Sequence, residues 1–152
     1  MTIRLLLTLA LFMAGTSAWA AGSDPVAAPA KPPGEYEFGV KAVKSGDYRK
    51  ALGHLEKALA EDMQDPDTLN YMGYSYRKLK QFDKALETYQ KALAIKPDHR
   101  GANEYIGELY LETGQLEKAK ERLKVLDSAC FFGCEEYTTL KKAIAAYEQK
   151  QK

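Results

Sequence analysis

Apolar residues return along this chain at helical spacing. Tyr48, Ala51, Leu52, Leu55 and Ala58 stand three and four residues apart, which gathers them on one stripe of a helix. Phe82, Ala85, Leu86, Tyr89 and Ala92 repeat the stripe 34 residues on. Leu116, Ala119, Leu123 and Leu126 repeat it again, with drift, after another 34. A second pattern keeps the same period: Phe38-Gly39, Met72-Gly73 and Ile106-Gly107, followed three residues after each glycine by Ala42, Tyr76 and Tyr110. A fixed period of this kind marks stacked supersecondary units, here pairs of amphipathic helices. Ser45-Gly46-Asp47, Leu79-Lys80-Gln81 and Thr113-Gly114-Gln115 fall between the two helices of each pair. Glycine suits a turn that needs positive φ, so Lys80 predicts a slightly different turn in the second unit. Pro66 and Pro97 fall between units, where proline ends one helix and can start the next. Gly39, Gly73 and Gly107 predict close approach by the second helix of the same unit, met by Ala51, Ala85 and Ala119. Tyr48, Tyr76, Tyr89 and Tyr110 fall at packing positions.

With these residues in view, the chain resembles the tetratricopeptide repeat family. In the middle unit Leu69, Met72, Gly73, Tyr76, Ala85, Tyr89, Ala92 and Pro97 stand at the signature positions, with Leu69 in place of the usual Trp and Tyr89 of the usual Phe. The first unit is degenerate at its edges, with Glu35 and Met63 at the Trp and Pro positions. The third has Asn103 at the Trp position and Leu126 at the second Ala position. The resemblance implies an all-α fold: a right-handed superhelical solenoid of three helix pairs at 34–65, 66–99 and 100–133, plus a C-terminal capping helix at 134–150. Tyr137, Leu140 and Ile144 of that last helix continue the 34-residue register and, with Tyr147, are expected to face inward. Lys141 stands where the close-packing glycine would be and, with Lys142, Glu148 and Lys150, is expected to face water, as a terminal repeat requires.

The amino-terminal segment has a different character. Arg4 precedes an apolar run from Leu5 to Met13, and Ala18-Trp19-Ala20 supplies a small-x-small cleavage pattern. This reads as a signal peptide over 1–20, too short for a membrane span. Residues 21–33 hold Pro25, Pro29, Pro32 and Pro33 and read as an extended Pro/Ala-rich linker. The expected location is the periplasm, with secretion as the alternative.

Composition and charge mainly exclude. The 152 residues, 45% hydrophobic and 28% charged, suit one domain. Formal net charge is +1, from 22 Lys+Arg against 21 Asp+Glu; loss of residues 1–20 would remove Arg4 and bring it to zero. That balance argues against coating nucleic acid or an anionic membrane. Stable membrane insertion after signal cleavage is likewise not expected. There is no P-loop, no Gly-x-Ser-x-Gly elbow and no His-Glu-x-x-His, so no enzyme activity, cofactor or metal is expected. His54 and His99 are expected to be exposed or semi-buried polar residues. Cys130 and Cys134 are the only cysteines. In an oxidising compartment they are expected to pair and to staple the last repeat to the cap. A redox-active or metal-carrying pair, or free thiols, remain as alternatives.

What is left is binding. In the resembled family, the first helix of each unit lines a concave groove that holds an extended peptide or partner helix. Carried onto this chain, the inward positions are Tyr36, Val40 and Val43, then Asn70, Tyr74 and Arg77, then Glu104, Glu108 and Leu111. The groove would run from apolar to polar to acidic. Asn70 could hold a peptide backbone, Arg77 a carboxylate, and Glu104 with Glu108 a basic side chain. The Lys-plus-Asn clamp of chaperone-binding members is absent. The expected role is a scaffold or adaptor for a protein or peptide partner. A thiol-redox or metal-handling factor, and a self-association module using the groove or Phe131-Phe132 to form a homo-oligomer, are the alternatives. The groove residues could also be no more than a solvated face.

Overall fold

In a computed structural model, residues 34–151 are described. The expected signal peptide and the Pro/Ala-rich linker lie outside them. The described residues form seven helices: α1 Glu35–Lys44, α2 Tyr48–Glu61, α3 Pro66–Lys78, α4 Phe82–Ile95, α5 Arg100–Glu112, α6 Leu116–Ala129 and α7 Glu135–Lys150. Among the described residues there is no strand.

Local chemistry sets the helix ends. The Asp65 carboxylate accepts the N–H groups of Asp67 and Thr68 at 3.1 Å each, and Pro66 occupies the first helical position of α3. Within each unit the turn is one motif used three times. Asp47, Gln81 and Gln115 donate their N–H groups back to Ala42, Tyr76 and Tyr110 at 3.0, 2.9 and 2.7 Å, as in a Schellman C-cap. The positive-φ place is held by Gly46 (78°), Lys80 (61°) and Gly114 (76°). The different turn expected at Lys80 is not found. Lys80 takes the left-handed conformation itself, at a cost of about 1–2 kcal/mol for an L-residue, because the Gln81 N–H to Tyr76 carbonyl hydrogen bond rewards it.

Packing is organised across units. One apolar cluster joins Ala42, Ala51, Leu52, Leu55 and Met72. A second joins Leu69, Ala85, Tyr89, Ala92, Ala102, Ile106 and Leu109. A third joins Leu111, Ala119, Leu126, Leu140 and Ile144. Each therefore takes a helix pair plus the first helix of the next unit, and α7 plays that part for the third pair. Tyr89 is fully buried, whereas Tyr48, Tyr76 and Tyr110 are half-buried.

The glycines report close approach. A Cβ on Gly39 would come within 2.6 Å of the Leu55 side chain, and one on Gly73 within 2.6 Å of the Tyr89 ring. Gly107 departs from the expectation. Its close neighbour is Leu140 of α7, also at 2.6 Å, and no α6 atom is among the three nearest. The last helix thus closes directly onto α5, and Lys141 and Lys142 lie on its exposed side.

Curvature follows from the contacts. α1 touches α3, α3 touches α5 and α5 touches α7, whereas α2, α4 and α6 do not touch one another. The first helices are crowded and the second helices splay, so the first-helix side is the inner one.

Candidate functional site

The inner face is built by α1, α3, α5 and α7, and it divides into two hollows. The first, of about 500 Å³, is lined by Val43, Lys44, Ser45, Gly46, Tyr48, Tyr71, Tyr74 and Tyr105. The Tyr74 and Tyr105 rings pack tilted against each other with centroids 4.8 Å apart, and Tyr48 meets Tyr74 edge-on at 6.1 Å. Tyr36 packs edge-on against Tyr71 at 6.0 Å. Burial lifts the Tyr36 hydroxyl to a pKa of about 12, with Asp67 the next contributor, so it stays a hydrogen-bond donor at neutral pH. The second hollow, of about 380 Å³, is lined by Arg77, Glu108, Leu111, Glu112, Ala143, Ala146, Tyr147 and Lys150. It is walled by α3, α5 and α7.

Between the hollows sits an ion cluster. Arg77 Nη2 donates to Glu108 at 2.6 Å and Nη1 donates to Glu112 at 2.6 Å, and its side chain is only 5% exposed. The guanidinium carbon lies 5.4 Å from the Tyr74 ring centroid and 5.7 Å from that of Tyr105. Burial opposes the charge on Arg77, but the Glu108 and Glu112 carboxylates outweigh it and hold the guanidinium protonated. The Glu112 carboxyl is held below its ordinary range because hydrogen bonds from Lys80 and Arg77 outweigh its partial burial. Arg77 therefore ties α3 to α5. The expectation that it waits for a ligand carboxylate is corrected: both Nη atoms are already committed. Removing either carboxylate leaves the buried Arg77 charge with one partner fewer, which destabilises the fold.

Two further expectations are corrected. Asn70 is buried, its Oδ1 has no hydrogen-bond partner, and its Nδ2 packs against the backbone of Gly101. It fills the α3–α5 contact instead of facing a peptide. Glu108 serves Arg77, so it is not free to join Glu104 around a basic side chain. Glu104 itself is 9% exposed and has no ion-pair partner among the described residues. Burial pushes its carboxyl up to about 7, and the charges of Glu108, Glu136 and Glu135 add to the rise while Arg77 opposes it.

Of the nine expected groove residues, Val43 and Tyr74 line the first hollow and Arg77, Glu108 and Leu111 line the second. Tyr36 and Val40 are half-buried on α1, outside both. Sequence reasoning misses Tyr71 and Tyr105. They stand at the same place in successive units, 34 residues apart, and that recurrence of tyrosine is the available signal. Ala143 and Tyr147 escape it as site residues because a capping helix is expected to cover the core, not to wall a hollow.

The remaining candidates are structural. His99 is buried, against expectation: its Nδ1 accepts the Ala102 N–H at 3.1 Å and caps α5, and Nε2 lies 2.9 Å from Asp67. His54 Nδ1 pairs with Glu35 at 2.6 Å, holding α2 to α1. Cys130 and Cys134 are joined by a disulfide with Cα atoms 5.6 Å apart, and the Cys134 sulfur accepts the Tyr137 N–H at the start of α7. Among the described residues, no group of three or more His, Cys, Asp or Glu could hold a metal ion, and no helix is long and apolar enough to cross a membrane.

Stacked antiparallel helix pairs with a hollowed inner face define a helical-repeat protein. Two tetratricopeptide repeat models match the sequence, over residues 42–67 and 66–99, so that stretch carries tetratricopeptide repeats. No curated protein matches it. Solved structures with a similar fold include the type III secretion chaperone SycD of Yersinia enterocolitica in complex with a peptide of the translocator YopD. That likeness has a TM-score of 0.66 and 18% identity over 78% of this chain and 92% of SycD. The first TPR of Spaghetti (RPAP3), bound to the HSP90 peptide SRMEEVD, has a TM-score of 0.65 and 24% identity over 74% of this chain and 89% of that one. A thermophilic TPR protein of Thermus thermophilus has a TM-score of 0.68 and 24% identity over 77% of this chain and 66% of its own.

Proposed function

We propose that this protein is an exported, non-enzymatic scaffold or adaptor that holds a peptide or protein segment along its inner face. The observation that carries the reading is the tyrosine-lined hollow on α1, α3 and α5. Tyrosines offer broad apolar contact with few rotatable bonds and a hydroxyl for polar contact, which suits recognition of a polypeptide. The solved complexes of similarly folded proteins with peptides support an extended segment as the class of ligand. The ion cluster around Arg77 keeps the face preformed, so little ordering cost falls on binding. The amino-terminal pattern supports export to the periplasm, with secretion as the alternative.

The test is crosslinking capture in a periplasmic extract with the protein and with a Tyr71→Ser/Tyr74→Ser variant checked for native helical content. The variant is expected to lose the captured partner by about tenfold or more, as removal of aromatic anchors does. Equal capture by a folded variant rejects the inner face as the site.

A further inference from the structure

Core packing leaves one pair of large residues unexplained. Phe131 and Phe132 are 89% and 96% exposed and stack edge to face at 5.0 Å. They sit at the tip of a loop closed by the Cys130–Cys134 disulfide, anchored by α6 on one side and α7 on the other, with Gly133 turning the chain at a φ of 83°. The loop is preorganised, so a partner meets two presented rings without ordering a floppy segment. Aromatic pairs shown to water in this way mark contact sites. The charged residues nearest the tip in sequence, Asp127, Glu135 and Glu136, are all acidic.

The tyrosine-lined hollow has the complementary character. Its volume of about 500 Å³ falls in the range that admits ring-bearing ligands, about 300–1,000 Å³. Lys44 is the one charged residue that lines it, and Lys78 Nζ lies 5.1 Å from the centroid of the Tyr74 ring. Both features belong to one packed solenoid, and the rings stand in solvent there, so the contact is made between copies.

We infer that the Phe131-Phe132 tip of one copy docks in the tyrosine-lined hollow of a second copy, steered by acidic flanks on the tip and lysines at the hollow. The hollow is the one the proposed ligand face is built on, so the inference rests on that reading for its receptor side and names a second copy as its occupant. The contact joins unlike surfaces. It closes into a dimer when made reciprocally and extends as a chain when not.

Sedimentation velocity over a range of concentrations tests it, on the protein purified as the cell makes it. The average mass is expected to rise with concentration. Phe131→Ser/Phe132→Ser, which touches no core residue, is expected to weaken association by about tenfold or more. Glu135→Lys is expected to weaken it, and adding Lys44→Glu is expected to restore it. A monomer at every concentration overturns the inference. So does association unchanged in the Phe131→Ser/Phe132→Ser variant, or Phe-dependent binding to phosphatidylcholine vesicles without self-association. Partner capture by the serine variant separates the two readings. Capture by the serine variant without self-association leaves the ligand face standing alone, and Phe-dependent self-association of the parent with no partner captured leaves only the contact between copies.

Discussion

Glu104 is the residue whose environment differs most from its appearance in sequence. It looks like one more solvated helix carboxylate, yet it is only 9% exposed. Its pKa of about 7 in the folded protein stands above the ordinary 4.5, so the folded state holds the proton more tightly than the unfolded chain. Its contribution to stability is therefore full below about pH 4.5 and is lost as pH rises through 7. Glu104→Gln removes that loss. The variant is expected to melt a few degrees higher than the parent at pH 8 and at the same temperature at pH 4. Thermal melts at the two pH values check this, and an equal shift at both would assign the titration to another group. Arg77 shows the opposite case: a residue with the chemistry of a ligand clamp, consumed by two carboxylates one unit away.

At the scale of the helix, approach distance decides what each glycine is for. Gly73 in α3 lies under the fully buried Tyr89 ring of α4, and an added Cβ would come within 2.6 Å of it. Gly73→Ala is expected to destabilise by about 1–3 kcal/mol, because neither helix can move without disturbing a packed core. Gly53 in α2 has no heavy atom within 4 Å of the position a Cβ would take. There Gly53→Ala is expected to stabilise by about 0.5–1 kcal/mol through helix propensity alone. Urea midpoints moving in opposite directions for the two variants would bear out the distinction. The last helix obeys the same rule from the other side, since Leu140 fills the space above Gly107.

Across the whole molecule, no helix pair encloses its own core. Each of the three clusters borrows the next first helix, which is why a seventh helix is needed and why its outer side can be lysine-rich. The same stacking crowds α1, α3, α5 and α7 into the inner face and brings tyrosines from different units together. With charges in near balance, the overall field supplies little steering. On the proposed reading, specificity on this surface comes from local chemistry: the tyrosine faces and the lysines at the hollow. The proposed export is tested on the whole chain as well. Removal of residues 1–20 takes away Trp19, the single tryptophan. Material purified from the periplasm is expected to show tyrosine emission only, and tryptophan emission in that material would count against cleavage after Ala20.

The repeat is written in the chain itself. Spacing of apolar residues is a local property, and three copies at one period specify paired helices, their turns and their stacking order. The family resemblance, not the spacing, marks Val43 and Tyr74 as inner-face positions, and Cys130 and Cys134 stand four residues apart, near enough to pair. Which inner-face residues are free is settled by packing between helices. Asn70 and Arg77 turn into the α3–α5 contact, Glu108 is taken by Arg77, and Tyr71 and Tyr105 come forward to line the hollow. That outcome depends on how far apart two helices settle and which charges they bring within reach. These distances join residues about 30 positions apart, and no local pattern carries them.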